Sequence, residues 1–291
     1  MMRAGTRVDY AERIERVVRH LENADMSAGV PDLAELAGVA ALSPFHFNRV
    51  FRLMTGETPA DAVRRIRLAR ALPVLDAEGV TPAAMEGGYA SSQAFARAIR
   101  AAAAMSPREA GASPEARARL GEVLGRAGGA DAALSIEVVS TAPFRLAAVR
   151  NVGGYAELNG GYERLFEAVF ATVPMDDLRG VHGIPEDDPR FTAPERYRFT
   201  CAVDIGEGPV PAGVEALAIA GGRHLWLRHV GDYERLLGHE DLIYAVALAE
   251  GWRLADAPMR MHYLDTPEDA PPEALRTDIY LPIEEDDPCD A

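Results

Sequence analysis

From Tyr10 to about Pro107 the apolar residues recur three and four positions apart, and no alternating β-branched run is long enough to compete, so the spacing predicts an all-helical region. Between about Gly111 and Ala133 the pattern gives way to Ala, Gly and Arg with Ser113-Pro114 and Gly128-Gly129, a connector with a helical stretch expected over Glu115–Arg126. Beyond it lie short apolar runs bounded by Gly or Pro. Ser135–Val139, Phe144–Asn151, Tyr197–Val203, Gly222–Val230 and Arg276–Pro282 read as strands, with helices interleaved at about 156–172 and 233–250. The fold class expected is therefore two-domain, all-α followed by α+β.

Both parts repeat themselves, and repetition at a fixed offset is strong evidence of architecture. In the helical part Phe47-Asn48-Arg49-Val50-Phe51-Arg52 returns 48 residues later as Phe95-Ala96-Arg97-Ala98-Ile99-Arg100. In the α+β part the offset is 78. Arg150, Val152, Gly153, Tyr155, Leu158 and Gly160 return as Arg228, Val230, Gly231, Tyr233, Leu236 and Gly238, and the match runs on through Arg198/Arg276 and Val203/Leu281. This predicts tandem strand-helix-strand modules with a cleft between them, the kind of interface that pockets favour.

On a helix over 45–54, Phe47, Val50, Phe51 and Met54 share one face while Phe45, Asn48, Arg49 and Arg52 share another. Ser43 serves as N-cap and Pro44 as first helical residue, which pins the start of the helix. In the second copy Phe95, Ala98, Ile99 and Ala102 point inward and Gln93, Ala96, Arg97 and Arg100 outward, after Ser91 or Ser92 as cap. Asn, Gln and Arg make paired contacts to adenine or guanine edges, each worth about 1–3 kcal/mol of discrimination. Polar faces of two ordinary surface helices would read the same way.

The segments "LSPFHFNRVFRLMTGETPADAVRRIRLARAL" and "GGYASSQAFARAIRAAAAMSP" resemble the two helix-turn-helix modules of the AraC/XylS-type transcription regulators, over roughly residues 10–110. The resemblance implies double-stranded promoter DNA as partner. Ser43, Phe45, Asn48 and Arg49 in the first module, and Ser92, Gln93 and Arg97 in the second, would then face bases or phosphates. Arg64, Arg65, Arg67 and Arg70 lie on or near the connecting helix, where a solvated charged face is expected for at least half. The chain departs from the family at Ala103 and Ala104, where a large aromatic and Gly are usual, and at Pro82 and Ala83. Pro73 should kink or break the connecting helix. The first module is thus expected to be the better formed, and DNA binding weak or permissive.

The segments "FRLAAVRNVGGYAEL", "PERYRFTCAVDI", "GGRHLWLRHVGDYERL" and "PPEALRTDIYLPIE" resemble the GyrI-like, or bacterial effector-binding, domain over about 135–284. That resemblance implies a chamber for amphipathic, often cationic aromatic compounds, usually centred on a glutamate. Candidate walls are Phe199, Trp226, Met261, Tyr263 and Tyr280, each of which could equally be sheet core. "PMRMHYLD" places Met261 at the glutamate position and Asp265 at a usual Asn, with His262 on the opposite face of the strand. Losing that carboxylate favours a neutral apolar effector and speaks against the hydrolase activity of some free-standing relatives.

The 291 residues are 48% hydrophobic, enough for two cores, and the formal charge of −15 taken alone argues against a nucleic-acid partner. Division along the chain reverses this. Residues 1–120 carry 16 basic and 14 acidic side chains, net +2, leaving 14 and 31, net −17, for the remainder. All 30 basic residues are Arg, planar forks suited to phosphate or carboxylate, although a compositional bias would give the same count. Cys201 and Cys289 form no disulfide framework, and there is neither a signal-like start nor an apolar run of membrane-spanning length, so the expected compartment is the cytoplasm. His239-Glu240 lacks the second His of a zinc-protease helix, and "VGGY" and "VGDY" are turns of the repeat rather than phosphate loops.

The reading is a DNA-binding domain at 1–112, a linker at 113–133, an effector domain at 134–285 and an acidic tail at 286–291. It describes a ligand-responsive regulator, monomer or homodimer, with no cofactor, metal, membrane or catalytic role. The alternative is a drug-sequestering or hydrolytic GyrI-like protein whose DNA-binding half has degenerated.

Overall fold

A computed structural model describes residues 10–26, 29–103, 136–190 and 192–285. These fall into two compact units, 10–103 in one and 136–285 in the other. The expected connector helix at 115–126, Ala104, Cys289 and the acidic tail lie outside the described residues.

The first unit holds six helices: α1 (Tyr10–Asn23), α2 (Leu33–Val39), α3 (Pro44–Thr55), α4 (Pro59–Ala77), α5 (Val80–Glu86) and α6 (Ser92–Ala103). Their starts follow local chemistry. The Asp32 carboxylate accepts from the Glu35 amide at 2.8 Å ahead of α2, and Thr58 Oγ1 accepts from the Asp61 amide at 3.1 Å ahead of α4, each such cap worth about 1 kcal/mol. Gly56 ends α3 in the left-handed conformation at φ 76°. Phe47, Val50 and Phe51 are fully buried, as are Phe95 and Ile99 at the equivalent positions of α6, the latter two packed with Leu68, Ala71, Leu75, Ala83 and Ala84.

Pro73 does not end α4, contrary to expectation; the helix continues to Ala77. Leu68 and Ala71 before it and Leu75 after it are anchored in one core, and that burial offsets the roughly 3 kcal/mol cost of an interior proline. Pro73 and Ala69, whose carbonyl loses its amide partner, are both exposed. The connecting-helix arginines also depart from a solvated face. Arg67 donates to the carbonyls of Gly87 and Gly88 at 2.7 and 2.6 Å with its guanidinium 4.0 Å over Tyr89. Arg70 donates to the carbonyls of Ala24 and Leu21 at 2.6 and 3.2 Å, and to that of Glu22. Arg65 grips Glu57 with both Nε and Nη2, and only Arg64, paired with Asp61, is exposed. Three of the four thus tie α4 to its neighbours.

The second unit is one eight-stranded antiparallel sheet with two helices. Its strands are β1 (Glu137–Thr141), β2 (Phe144–Val152), β3 (Gly180–Pro185), β4 (Arg198–Asp204), β5 (Glu215–Ile219), β6 (Gly222–Val230), β7 (Arg260–Tyr263) and β8 (Arg276–Pro282), with α7 (Tyr155–Phe170) after β2 and α8 (Leu236–Glu250) after β6. The order β1-β6-β8-β7-β3-β4-β2-β5 is palindromic under the 78-residue offset. Each module's first strand pairs with the other module: β1 with β6, and β5 with β2. The two repeats are therefore interlocked. The expected turns hold, with Gly153 at φ 142° and Gly231 at φ 136°, their amides bonded to the carbonyls of Tyr197 and Leu275 at 2.9 and 2.8 Å. No helix among the described residues is long and apolar enough to cross a membrane.

Candidate functional site

The two candidate DNA-reading helices differ in what they present. On α6, Gln93, Arg97 and Arg100 are exposed and Ser92 is half-buried, while Phe95 and Ile99 fill the core. The Ser91 hydroxyl accepts from the Ala94 amide at 3.2 Å, so Ser91 rather than Ser92 acts as the cap. On α3, Phe45 is exposed and Asn48 and Ser43 are half-buried, but Arg49 is only 6% exposed. The expectation that Arg49 faces outward is thus corrected. At 100° per residue Arg49 lies at the edge of an arc running through His46, Phe47, Val50 and Phe51, all buried, because α1, α2 and α4 all pack on this helix. The exposed large side chains of α3 are Phe45 and Met54, the latter against the expectation that it shares the packed face, while Asn48 and Arg52 are half-buried, with Arg52 Nε and Nη2 shielded from solvent. Ser43 occupies the N-cap with φ −69° and ψ 153°, but its hydroxyl is buried and makes no cap bond.

In the second unit the centre of the site is a symmetry axis. In the antiparallel pairing of β3 with β7, Gly183 faces Met261, which is also its counterpart 78 residues on, so the pseudo-two-fold passes through this pair. Alternation then sorts every nearby side chain by face. Met261 pairs through to Ile279 and Leu227, on the side where both helices lie, whereas Arg260 pairs to Tyr280 and Trp226, on the other side. The five candidate wall residues therefore do not form one chamber. Phe199, Met261 and Tyr263 share the helix-covered face; Trp226 and Tyr280 lie on the opposite one.

On the helix-covered face Met261 and Phe199 are buried, and half-buried tyrosines stand around them. Tyr263 lies edge-on to Tyr162 of α7 at 6.4 Å and to Tyr233 at 5.4 Å, and its hydroxyl is 3.4 Å from Met261 Sδ. Tyr162 donates to the His182 carbonyl at 2.8 Å. A Cβ on Gly183 would come within 2.5 Å of Phe199 Cζ and 2.7 Å of Tyr263 Oη, so only glycine lets both rings reach the axis. Desolvation raises the phenol pKa of Tyr162 and Tyr263 well above the ordinary value, keeping both neutral.

Glu240 of α8 is 2% exposed, and its charge adds to the upward shift at Tyr263. In the sequence Glu240 stands out only beside His239, as half of a zinc motif. The 78-residue offset places it opposite Tyr162 across the axis, and that signal was available. Asp265, at the usual Asn position, is instead structural: it takes the backbone amide, Nε and Nη2 of Arg276 at 2.8–2.9 Å, as Asp187 does with Arg198 in the first repeat. Cys201 is buried beneath α7 with its thiol pushed up to about 12 by desolvation.

The chain matches the model of the GyrI-like small molecule binding domain over residues 134–284, more than half its length. It belongs to the GyrI-like family. A helix-turn-helix domain model matches residues 36–112 of this GyrI-like protein. It is 34% identical over 106 residues to "Probable transcriptional regulator YgiV" of Escherichia coli (strain K12), an alignment taking in 35% of this chain and 65% of that protein, so just under two thirds of the relative is spanned. Among solved structures it is similar to an uncharacterized conserved protein from Listeria innocua (15% identity, TM-score 0.43, covering 51% of this chain and 92% of that one). It is likewise similar to a hydrolase from Listeria innocua (15%, 0.41, 51% and 91%).

Proposed function

We propose that this GyrI-like protein is a ligand-responsive transcription regulator of the cytoplasm, in which the helical unit binds double-stranded promoter DNA and the sheet unit binds a small hydrophobic or amphipathic effector. The observation that carries this reading is one chain holding both a helix-turn-helix match at 36–112 and a GyrI-like match at 134–284, and the relative YgiV bears the name of a probable transcriptional regulator. The division into 1–112, 113–133, 134–285 and 286–291 is part of the proposal.

On the DNA side, Gln93 and Arg97 of α6 make the sequence-reading contacts, with Phe45 and Asn48 of α3 in support. On the effector side, the ligand lies over Met261 against Phe199, Tyr162 and Tyr263, a floor that is apolar with neutral hydroxyls at its edge. Glu240 gives this wall a carboxylate from the helix in place of the one absent from Met261, which suits amphipathic cations as well as neutral guests. The protein acts as a binder rather than a hydrolase. An effector that binds one DNA-competent state better than another shifts the population by that difference in affinity.

The test is fluorescence anisotropy with fragments of the protein's own promoter. Retention with log affinity falling as log salt rises supports the reading, since phosphate contacts release counterions. No retention at low salt in a folded protein, together with ligand binding or turnover, would hand the case to the sequestering or hydrolytic alternative. A thermal-shift panel of aromatic cations and neutral aromatics identifies the effector class independently of DNA.

A further inference from the structure

Both helices of the sheet unit lie on the Met261 face, so alternate residues of the same strands make a second surface. At its centre is Arg260, only 6% exposed. Its guanidinium lies 4.2 Å from the ring centre of Tyr280 and 5.1 Å from that of Phe144, and Nη1 is 3.1 Å from His182 Nδ1. Arginine only donates, so that nitrogen is the unprotonated one and His182 is neutral. Burial and the adjoining guanidinium hold it there, pushing its pKa down to about 2. His182 in turn stacks on His262 at 4.4 Å.

Among the described residues no carboxylate forms an ion pair with Arg260. Asp278, whose charge reaches it, is occupied by Arg228 through Nε and Nη2 at 2.7 and 2.8 Å. A buried cation without a counter-charge is costly, and neither a neutral imidazole nor two ring faces supply one. The repeat does not require the guanidinium for its framework, since the position equivalent to Arg260 in the first module is His182 itself. What the arrangement fits is a planar anion: the guanidinium fork matches a carboxylate with two parallel bonds, and half-buried rings flank it.

We propose that this face is a second ligand site, one that takes a flat aromatic carboxylate, with the anionic end on Arg260 and the ring against Tyr280 and Phe144. It lies on the opposite side of the sheet from the Met261 chamber and does not depend on it. The test is calorimetric titration of the full chain with benzoate, benzamide and benzamidine. Benzoate is expected to bind at least tenfold more tightly than benzamide, with benzamidine excluded, and Arg260→Gln to weaken benzoate at least tenfold. His262→Glu, which sets a carboxylate beside the guanidinium, is expected to cause a similar loss and decides the matter if Arg260→Gln fails to fold. Absence of benzoate binding, equal affinity for the three probes, or wild-type benzoate affinity in either folded variant overturns the site.

Discussion

The molecule contains two duplications that have diverged in different ways. In the sheet unit the framework is copied closely: the turns at Gly153 and Gly231 share one backbone conformation, and the Arg198–Asp187 and Arg276–Asp265 pairs match bond for bond. Divergence is concentrated at the axis, where Gly183 faces Met261, His182 corresponds to Arg260 and Tyr162 to Glu240. In the helical unit the difference lies in what each copy presents, Arg97 exposed and Arg49 buried at the same position of the repeat. A duplicated scaffold can hold its packing fixed while one copy gives up a surface role. The helical copies also differ in their turns, four residues between α2 and α3 but five between α5 and α6.

The largest expected effect follows from the second turn. Gly88 has φ +67°, and a Cβ there would fall onto the carbonyl of Met26. Gly88→Ala should therefore cost about 3 kcal/mol or more, read as a lowered denaturant midpoint of the helical unit. The buried arginine comes next. Arg49→Ala removes a buried side chain that is not without a partner and should cost about 1.5–3 kcal/mol of stability. Arg97→Ala should leave the melting temperature unchanged and weaken promoter binding at least tenfold, about 1.4 kcal/mol. Paired anisotropy and melting measurements check both, and the opposite assignment, stability lost at Arg97 and affinity alone at Arg49, would break the comparison.

Much of this was legible in the sequence, and the misses have physical causes. Five strands and both sheet helices follow from apolar runs bounded by Gly or Pro. β3 and β5 did not stand out, because Gly180–Pro185 carries two Gly and a terminal Pro and Glu215–Ile219 is built on Ala and Glu, all weak strand formers. The offset of 78 from β1 places β5, and the same offset back from β7 falls within β3. The expected chamber walls divide between two faces for a different reason. Aromatic character does not reveal which face of a strand a residue occupies; that depends on register, and register makes Trp226 and Tyr280 face away from Met261. Arg49 was misplaced because a helical wheel assigns a face but not the width of the buried arc, which three packed neighbours fix.

Acid sharpens the contrast between the two sheet modules at their unlike pair, His182 and Arg260. The pKa of His182 is about 2 in the folded protein against about 6.5 in the unfolded chain, so below about pH 6.5 the unfolded state binds the extra proton. Stability of the sheet unit should fall as pH drops through that window and level off above it. The slope approaches about 1.4 kcal/mol per pH unit from this residue well below pH 6.5, and the integrated loss between pH 6.5 and 5 is about 1.6 kcal/mol. His262 and His224 are lowered by burial and add in the same direction. Urea unfolding across pH 5 to 8 measures the slope, and His182→Asn should flatten it; an unchanged slope in that variant would return the titration to other groups.

The smallest effect tests whether the first helical copy carries strain that the second has relieved. Ala41 is at φ 50°, the one non-glycine residue with positive φ among the described residues, and it occupies the turn position filled by Gly88 after α5, two residues past the end of the preceding helix in both copies. Its amide still bonds the Gly38 carbonyl at 3.0 Å, so the left-handed conformation is imposed by the turn. Ala41 is exposed and its methyl packs little, so replacing it removes a steric cost without emptying the core. Ala41→Gly should therefore stabilise the helical unit by roughly 0.5–1 kcal/mol, the gain in the turn exceeding the entropy that glycine adds to the unfolded chain. Gly88→Ala and Ala41→Gly, compared by thermal melting under one condition, should shift in opposite directions. A loss of stability in Ala41→Gly would mean that the first turn is held by the methyl group itself.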